Sequence, residues 1–188
     1  ITDNSFFVNE KKTVFYIIIS TEIYDINGTS KSTGATIATG KVTFAKAVQT
    51  PATFYTYGSG NNDWASPNNY TSKNWNDISE SDGKTFFDPC PEGWRLPTKA
   101  EYSNFSTTTF TWDATNSGRT YNGNWFPAAG YRGSDGGGMS YVGSYGLCWS
   151  ASPYSENYGY YLYFISGSVN PASLSRRAYG FSVRCVQE

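Results

Sequence analysis

From Phe110 onward, apolar residues never recur at helical spacing; short aromatic runs alternate with glycine-rich turns such as GYRGSDGGG at 130–138. That punctuation commits this part of the chain to strand and loop. YGYYLYFI at 158–165 is the clearest run. As a strand it sends Tyr158, Tyr160, Leu162 and Phe164 to one face and Tyr161 and Tyr163 to the other, so one face serves a core while the other stays available. The 188 residues suit one ordinary domain with an appendage.

Upstream, the texture changes. Residues 1–50 carry the β-branched and aromatic run TVFYIIISTEIYDI, the turn dipeptide Asn27-Gly28 and a Ser/Thr/Gly-rich return to Gly40, which reads as a β-hairpin or stem. VTFAKAVQTP predicts a helix of one to two turns, opened by Thr43 as N-cap and stopped before Pro51. Residues 55–85 are loop in composition. In DPCPEGWRLPTKAEYSNF, Thr98 and Glu101 form a capping box that predicts a helix over 99–105. The division expected is therefore a stem at 1–50 and a binding domain at 51–188.

Lys and Arg total 14 against 15 Asp and Glu, a balance with neither the basic stripe of a nucleic-acid binder nor a polybasic membrane segment. No apolar run approaches the roughly 20 residues that span a bilayer. The chain begins at Ile1, which suggests a mature form or an excised fragment. Histidine is absent, which removes Ser-His-Asp and Cys-His sites, imidazole bases and His-containing zinc sites. Cys148, in GLCWS, has no histidine to activate it and reads as an inert thiol. GSDGGG lacks the Lys and Ser/Thr of a phosphate loop and reads as a flexible turn. Asp113 with Asp135 or Glu156 is the pair open to glycosidase chemistry, though no spacing forces those acids together.

Aromatic residues make up 18% of the chain and charged ones only 15%, against about 25% charged in ordinary soluble domains. Seven of the 16 tyrosines, at 141, 145, 154, 158, 160, 161 and 163, fall close together. Tyrosine combines contact area, few rotatable bonds and a hydroxyl, and the Tyr/Ser/Gly/Asn mixture of 139–180 is that of a recognition loop. Strand propensity alone also enriches tyrosine, and sheet packing is the competing explanation.

DPCPEGWRLPTKAEY, then GLCWSAS and the ending YGFSVRCV, resemble the C-type-lectin-like domain of bacterial surface proteins. That family includes the Fibrobacter major paralogous domain and tip proteins of Bacteroidetes fimbriae, and the likeness covers about 50–188. GSVNPASLSRRAYGFSVRCVQE further resembles the variable region of proteins diversified by retroelements, in which mutated template adenines vary the residues on a fixed scaffold. Glu156, not reachable by that mutagenesis, would be scaffold. The resemblance implies an α+β, C-type-lectin-like fold with short helices and antiparallel strands. It implies scaffold positions Trp149, Tyr160, Leu162, Phe164, Pro171, Arg177, Gly180, Phe181, Val183 and Cys185. The contact set it implies is Tyr145, Leu147, Tyr154, Tyr158, Tyr161, Tyr163, Ala172, Ser173, Leu174, Ser175, Arg176 and Tyr179. Family members often carry an aromatic residue where Cys148 stands. A disulfide between Cys90 and Cys185, and with it an exported, oxidising setting, is also implied, with two unlinked thiols as the alternative.

The string WND at 75–77 is similar to a calcium-binding motif of sugar-binding C-type lectins but precedes the capped segment instead of coming late. Between Gly136 and Gln187 the only carboxylate side chain is that of Glu156, too few for a calcium cage. No metal and no cofactor are expected. The expected function is ligand binding of adhesin or receptor type, calcium-independent and non-enzymatic, at a bacterial cell surface or fimbrial tip. Its partner would be a protein or glycan on another cell, with other fimbrial subunits as further partners. The alternatives are a structural fimbrial subunit polymerising through strands at 1–26 and a carbohydrate-active enzyme using paired carboxylates.

Overall fold

A computed structural model describes residues 23–24, 30–31, 36–50, 53–56, 64–65, 88–155 and 157–188. The apolar run at 14–19, the Asn27-Gly28 turn, the WND string and Glu156 lie outside the described residues. Strands β1 (Ile23–Tyr24) and β2 (Ser30–Lys31) pair antiparallel. β3 (Thr36–Thr39) and β4 (Thr53–Thr56) pair in parallel across the helix α1 (Phe44–Gln49). The helix starts where Thr43 accepts the Lys46 amide at 3.2 Å. It ends at Thr50, whose hydroxyl donates back to the Lys46 carbonyl at 2.8 Å ahead of Pro51.

The rest is strand and turn. β5 (Trp94–Arg95) precedes a three-stranded meander of β6 (Thr111–Asp113), β7 (Gly118–Tyr121) and β8 (Asn124–Pro127). β9 (Tyr131–Arg132) and β10 (Met139–Ser140) form a hairpin. A second meander, and the largest sheet described, is β11 (Gly146–Pro153), β12 (Tyr158–Ile165) and β13 (Ser168–Arg176). Finally β14 (Val186–Gln187) returns to pair with β5.

This arrangement corrects the α+β expectation. Among the described residues α1 is the one helix, and the fold is several small sheets. Over 99–105 the capping box forms, with the Thr98 amide donating to Glu101 at 2.8 Å and the Glu101 amide to Thr98 at 3.3 Å, yet turns follow it. Backbone bonds there span three residues, from Ser103 to Ala100 and from Phe105 to Tyr102. Tertiary contacts take the chain over: the Lys99 amide donates to the Ser152 hydroxyl at 2.9 Å, while Tyr102 and Phe105 enter the core. Seven residues are too few to hold a helix against such demands.

The main core packs Tyr102, Phe105, Phe110, Phe126, Cys148, Leu162 and Phe164 between the two meanders, largely edge to face. Leu162 and Phe164 come from the inward face of β12. A smaller cluster unites Cys90, Leu96 and Ala151 with Val183 and Cys185. There Cys90 and Cys185 form a disulfide, with 5.8 Å between Cα atoms. Asp88 closes the loop that carries Cys90, accepting the amides of Cys90 at 2.8 Å and Leu96 at 2.9 Å.

Candidate functional site

Directly opposed residues in an antiparallel sheet project to the same side, so strand register assigns each candidate to a face. Tyr161 lies opposite Trp149 on β11 and Ser173 on β13, and Tyr163 lies opposite Leu147 and Asn170. These form the face away from the main core. Tyr160 lies opposite Leu174, and Tyr158 opposite Arg176, on the other face.

Upon the outer face lies a continuous set of rings. Tyr163 meets Tyr145 edge to face at 5.5 Å, Tyr145 stacks on Tyr141 at 4.3 Å, and Tyr141 stacks on Tyr131 at 5.8 Å. Tyr131 meets Tyr179 at 5.5 Å and Phe181 at 6.2 Å. Phe181 lies 4.8 Å from Tyr161 and stacks at 4.4 Å on the buried Trp149, which forms the floor. The C-terminal segment is drawn onto earlier strands here by backbone bonds: Arg132 exchanges two with Gly180, and Trp149 and Ser182 join at 3.0 Å. A Cβ on Gly180 would stand 2.7 Å from the Phe54 ring, so only glycine admits β4 this closely.

The platform contains phenols in their neutral form. Burial first, then the neighbouring phenols and Asp135, push the Tyr131 hydroxyl above the ordinary tyrosine value. Tyr161 rises chiefly by burial, opposed by a hydrogen bond with Ser173. Tyr163 rises by burial, then by the charge of Tyr145 and a hydrogen bond with it. At neutral pH these phenols are protonated, able both to donate and to accept hydrogen bonds.

Of the contact set, Tyr145, Tyr161, Tyr163, Ser173 and Tyr179 converge on this platform, and Ser175, opposite Gly159, shares its face. Ala172 is exposed where the register of β12 and β13 shifts. Five members depart from it. Leu147, opposite Tyr163, retains 4% of its surface and is too buried for contact. Leu174 and Arg176 face the opposite side because neighbours along a strand alternate, so a run of consecutive contact positions is divided between two faces. Tyr158 joins them, and Tyr154, 55% exposed, packs edge to face on Tyr160 at 5.5 Å beneath Lys99. Conversely Tyr131, Tyr141 and Phe181 belong to the platform without having been assigned to contact. Tyr141 stood within the dense tyrosine run, but nothing in the spacing of Tyr131 announced the long-range closure through Gly180.

Groups suited to catalysis are arranged otherwise. Cys148 is buried in the core and its thiol is pushed up to about 12 by desolvation, so it stays protonated. The Asp113 carboxylate accepts from the Thr115 and Asn116 amides and the Asn116 side chain, which lowers its pKa, the reverse of what a general acid requires. Among the described residues no three Cys, Asp or Glu side chains gather where a metal ion would be held, and no helix is long and apolar enough to cross a membrane.

A family model described as a domain of unknown function, DUF8237, matches residues 111–186, from the first strand of the β6–β8 meander to the start of β14. No curated protein matches the chain, and no solved structure does.

Proposed function

We propose that this chain is a ligand-binding domain of receptor or adhesin type, acting through the tyrosine platform on the outer face of the β11–β13 sheet. The observation that carries this reading is the unbroken ring-to-ring path from Tyr163 through Tyr145, Tyr141 and Tyr131 to Tyr179, Phe181 and Tyr161. Sheet packing accounts for Leu162 and Phe164, which fill the core; it leaves unexplained a second aromatic assembly on the face turned from that core. Rings already packed against one another lose little side-chain freedom on binding, so contact with them costs less than contact with loose side chains. An extracellular setting is supported by the Cys90–Cys185 disulfide, a bond that persists in oxidising compartments.

The test is a screen of the purified chain against arrays of glycans and of extracellular proteins, repeated with two paired variants. Tyr145→Ala with Tyr163→Ala should abolish the signals, each truncation costing about 2 kcal/mol at a central contact. Tyr154→Ala with Leu174→Ala, on the other face, should retain them. Loss of binding confined to the second pair contradicts the reading.

A further inference from the structure

The two edges of the β11–β13 sheet are finished differently. β11 is covered: Trp149 donates to Ser182 at 3.0 Å, Ser182 to Leu147 at 3.1 Å, and Ala151 to Pro97 at 2.8 Å. β13 has no neighbouring strand besides β12 among the described residues. The Arg177 amide donates to Asn157 at 3.0 Å, flanking the Tyr158–Arg176 pair, and this fixes which residues of β13 turn their backbone toward β12. Ser173 and Ser175 do so. Ala172, Leu174 and Arg176 alternate with them and point to the open edge.

Much of that edge is closed by the chain itself. Pro171 has no N–H, and the register shifts beside it. The Ala172 amide donates to the Asn170 side chain at 3.0 Å, and the Arg176 carbonyl accepts the Tyr179 amide at 3.2 Å. Between these closures the N–H and C=O of Leu174 have no hydrogen-bond partner among the described residues. Its side chain is 40% exposed, and opposite it Tyr160 meets the ring of Tyr154, itself 55% exposed. An open edge is ordinarily guarded by charge or proline, and 172–175 contains neither.

The shortness of the gap selects its occupant. An extended peptide adding as a strand draws on alternate residues along an edge, and here it would meet Leu174 between two closed positions. A second copy paired antiparallel about Leu174 needs no more than that residue: each Leu174 amide donates to the other's carbonyl. The two exposed leucines then lie side by side, joining two Tyr154–Tyr160–Leu174 patches. Ser173 opposes Ser175. Arg176, the one charged residue of β13, opposes Ala172, so the two arginines stand roughly 14 Å apart along the strands, beyond a Debye length of about 8 Å.

We propose that Leu174 is the centre of a two-fold contact between two copies of this chain, which continues β11–β13 into a six-stranded sheet. The axis relating two antiparallel strands in this way is perpendicular to the sheet and keeps each face on its own side. Both tyrosine platforms therefore open in one direction, uncovered, because Leu174 belongs to the opposite face. The contact goes beyond the binding reading and does not require it.

Two backbone bonds and a small apolar patch put this contact at the low end of specific interfaces. Sedimentation velocity of the full chain from about 10 μM to about 1 mM should show the mass rising from 20.8 kDa toward twice that value, with a dissociation constant of about 0.1 mM. Across the same range, exchange of the Leu174 amide, followed by NMR, should slow about five-fold, while the amides of Ser173 and Ser175, already turned to β12, should not change. Leu174→Lys sets two ammonium groups on opposed residues whose Cα atoms lie about 5.5 Å apart, and should weaken association about ten-fold or more at unchanged Tm. A single 20.8 kDa species up to about 1 mM overturns the proposal. So does a dimer whose formation leaves Leu174 exchange unaltered, or one that persists undiminished in Leu174→Lys. Should Leu174→Lys lower Tm, the exchange at Leu174 in the unaltered chain decides by itself. None of these readouts uses a ligand, so the platform reading stands or falls separately.

Discussion

Arg119 is the bulkiest fully buried side chain among the described residues, and none of its partners is a carboxylate. Its guanidinium donates to the Phe110 carbonyl, to Ile165 at 3.0 and 2.8 Å, and to Ser166 at 2.8 Å. It thereby fastens the turn between β12 and β13 to the β6–β8 meander. Burial lowers its pKa below the ordinary arginine value, but the group remains a cation at neutral pH because its fixed fork satisfies several carbonyls at once. Arg119→Lys preserves the charge and loses the fork. With two carbonyls left without partners in the interior, it should destabilise the chain by about 3 kcal/mol in urea unfolding. A loss under about 0.5 kcal/mol would mean that the clamp is dispensable.

The segment linking β5 to the core shows how far local pattern reaches. α1 was legible because everything that makes it is local: a capping threonine, a short run of helix formers and a proline to stop it. The alternation along β12 was legible for the same reason, since period 2 needs no partner to be read. Over 99–105 the cap was equally plain, but the neighbours Ser152 and Trp149 and the aromatic core took the backbone and side chains elsewhere. The division of 172–176 between two faces follows from the strand formed there, which a consecutive run of contact positions implied by resemblance does not contain. Glu101, the capping residue, also accepts both guanidinium nitrogens of Arg95, at 2.7 and 2.8 Å. The Arg95 hydrogen bond, foremost, holds its pKa below the ordinary glutamate value. A carboxylate depressed in the folded state gives stability that is complete above its unfolded pKa of about 4.3 and is lost as pH falls through the folded value. Urea midpoints measured from pH 6 down to pH 2 should fall over that window, and Glu101→Gln should flatten the fall; an unchanged slope would assign acid sensitivity to other groups.

At the scale of the molecule, two devices hold the C-terminal end in place. One is covalent: Cys90 and Cys185 are separated by 95 residues, and closing a loop of that size contributes about 4 to 5 kcal/mol by restricting the unfolded chain. Cys90→Ser with Cys185→Ser should lower the unfolding free energy by an amount of that order, whereas Cys148→Ser, in the core, should act independently of reductant. Equal stability with and without reductant in the unaltered chain would contradict this role. The other device is aromatic: Phe181, lying between Trp149, Tyr161 and Tyr179, fixes the last segment against the outer face of the sheet. Together they convert half-buried tyrosines from distant parts of the chain into one surface. That surface, more than any single side chain, is what the account depends on. The most direct measurement is tyrosine footprinting by nitration, with and without a target taken from the arrays, read residue by residue by mass spectrometry. Protection confined to Tyr131, Tyr141, Tyr145, Tyr163 and Tyr179, with Tyr154 and Tyr158 modified equally in both states, is the predicted result; protection of Tyr154 and Tyr158 with the platform left open would contradict it.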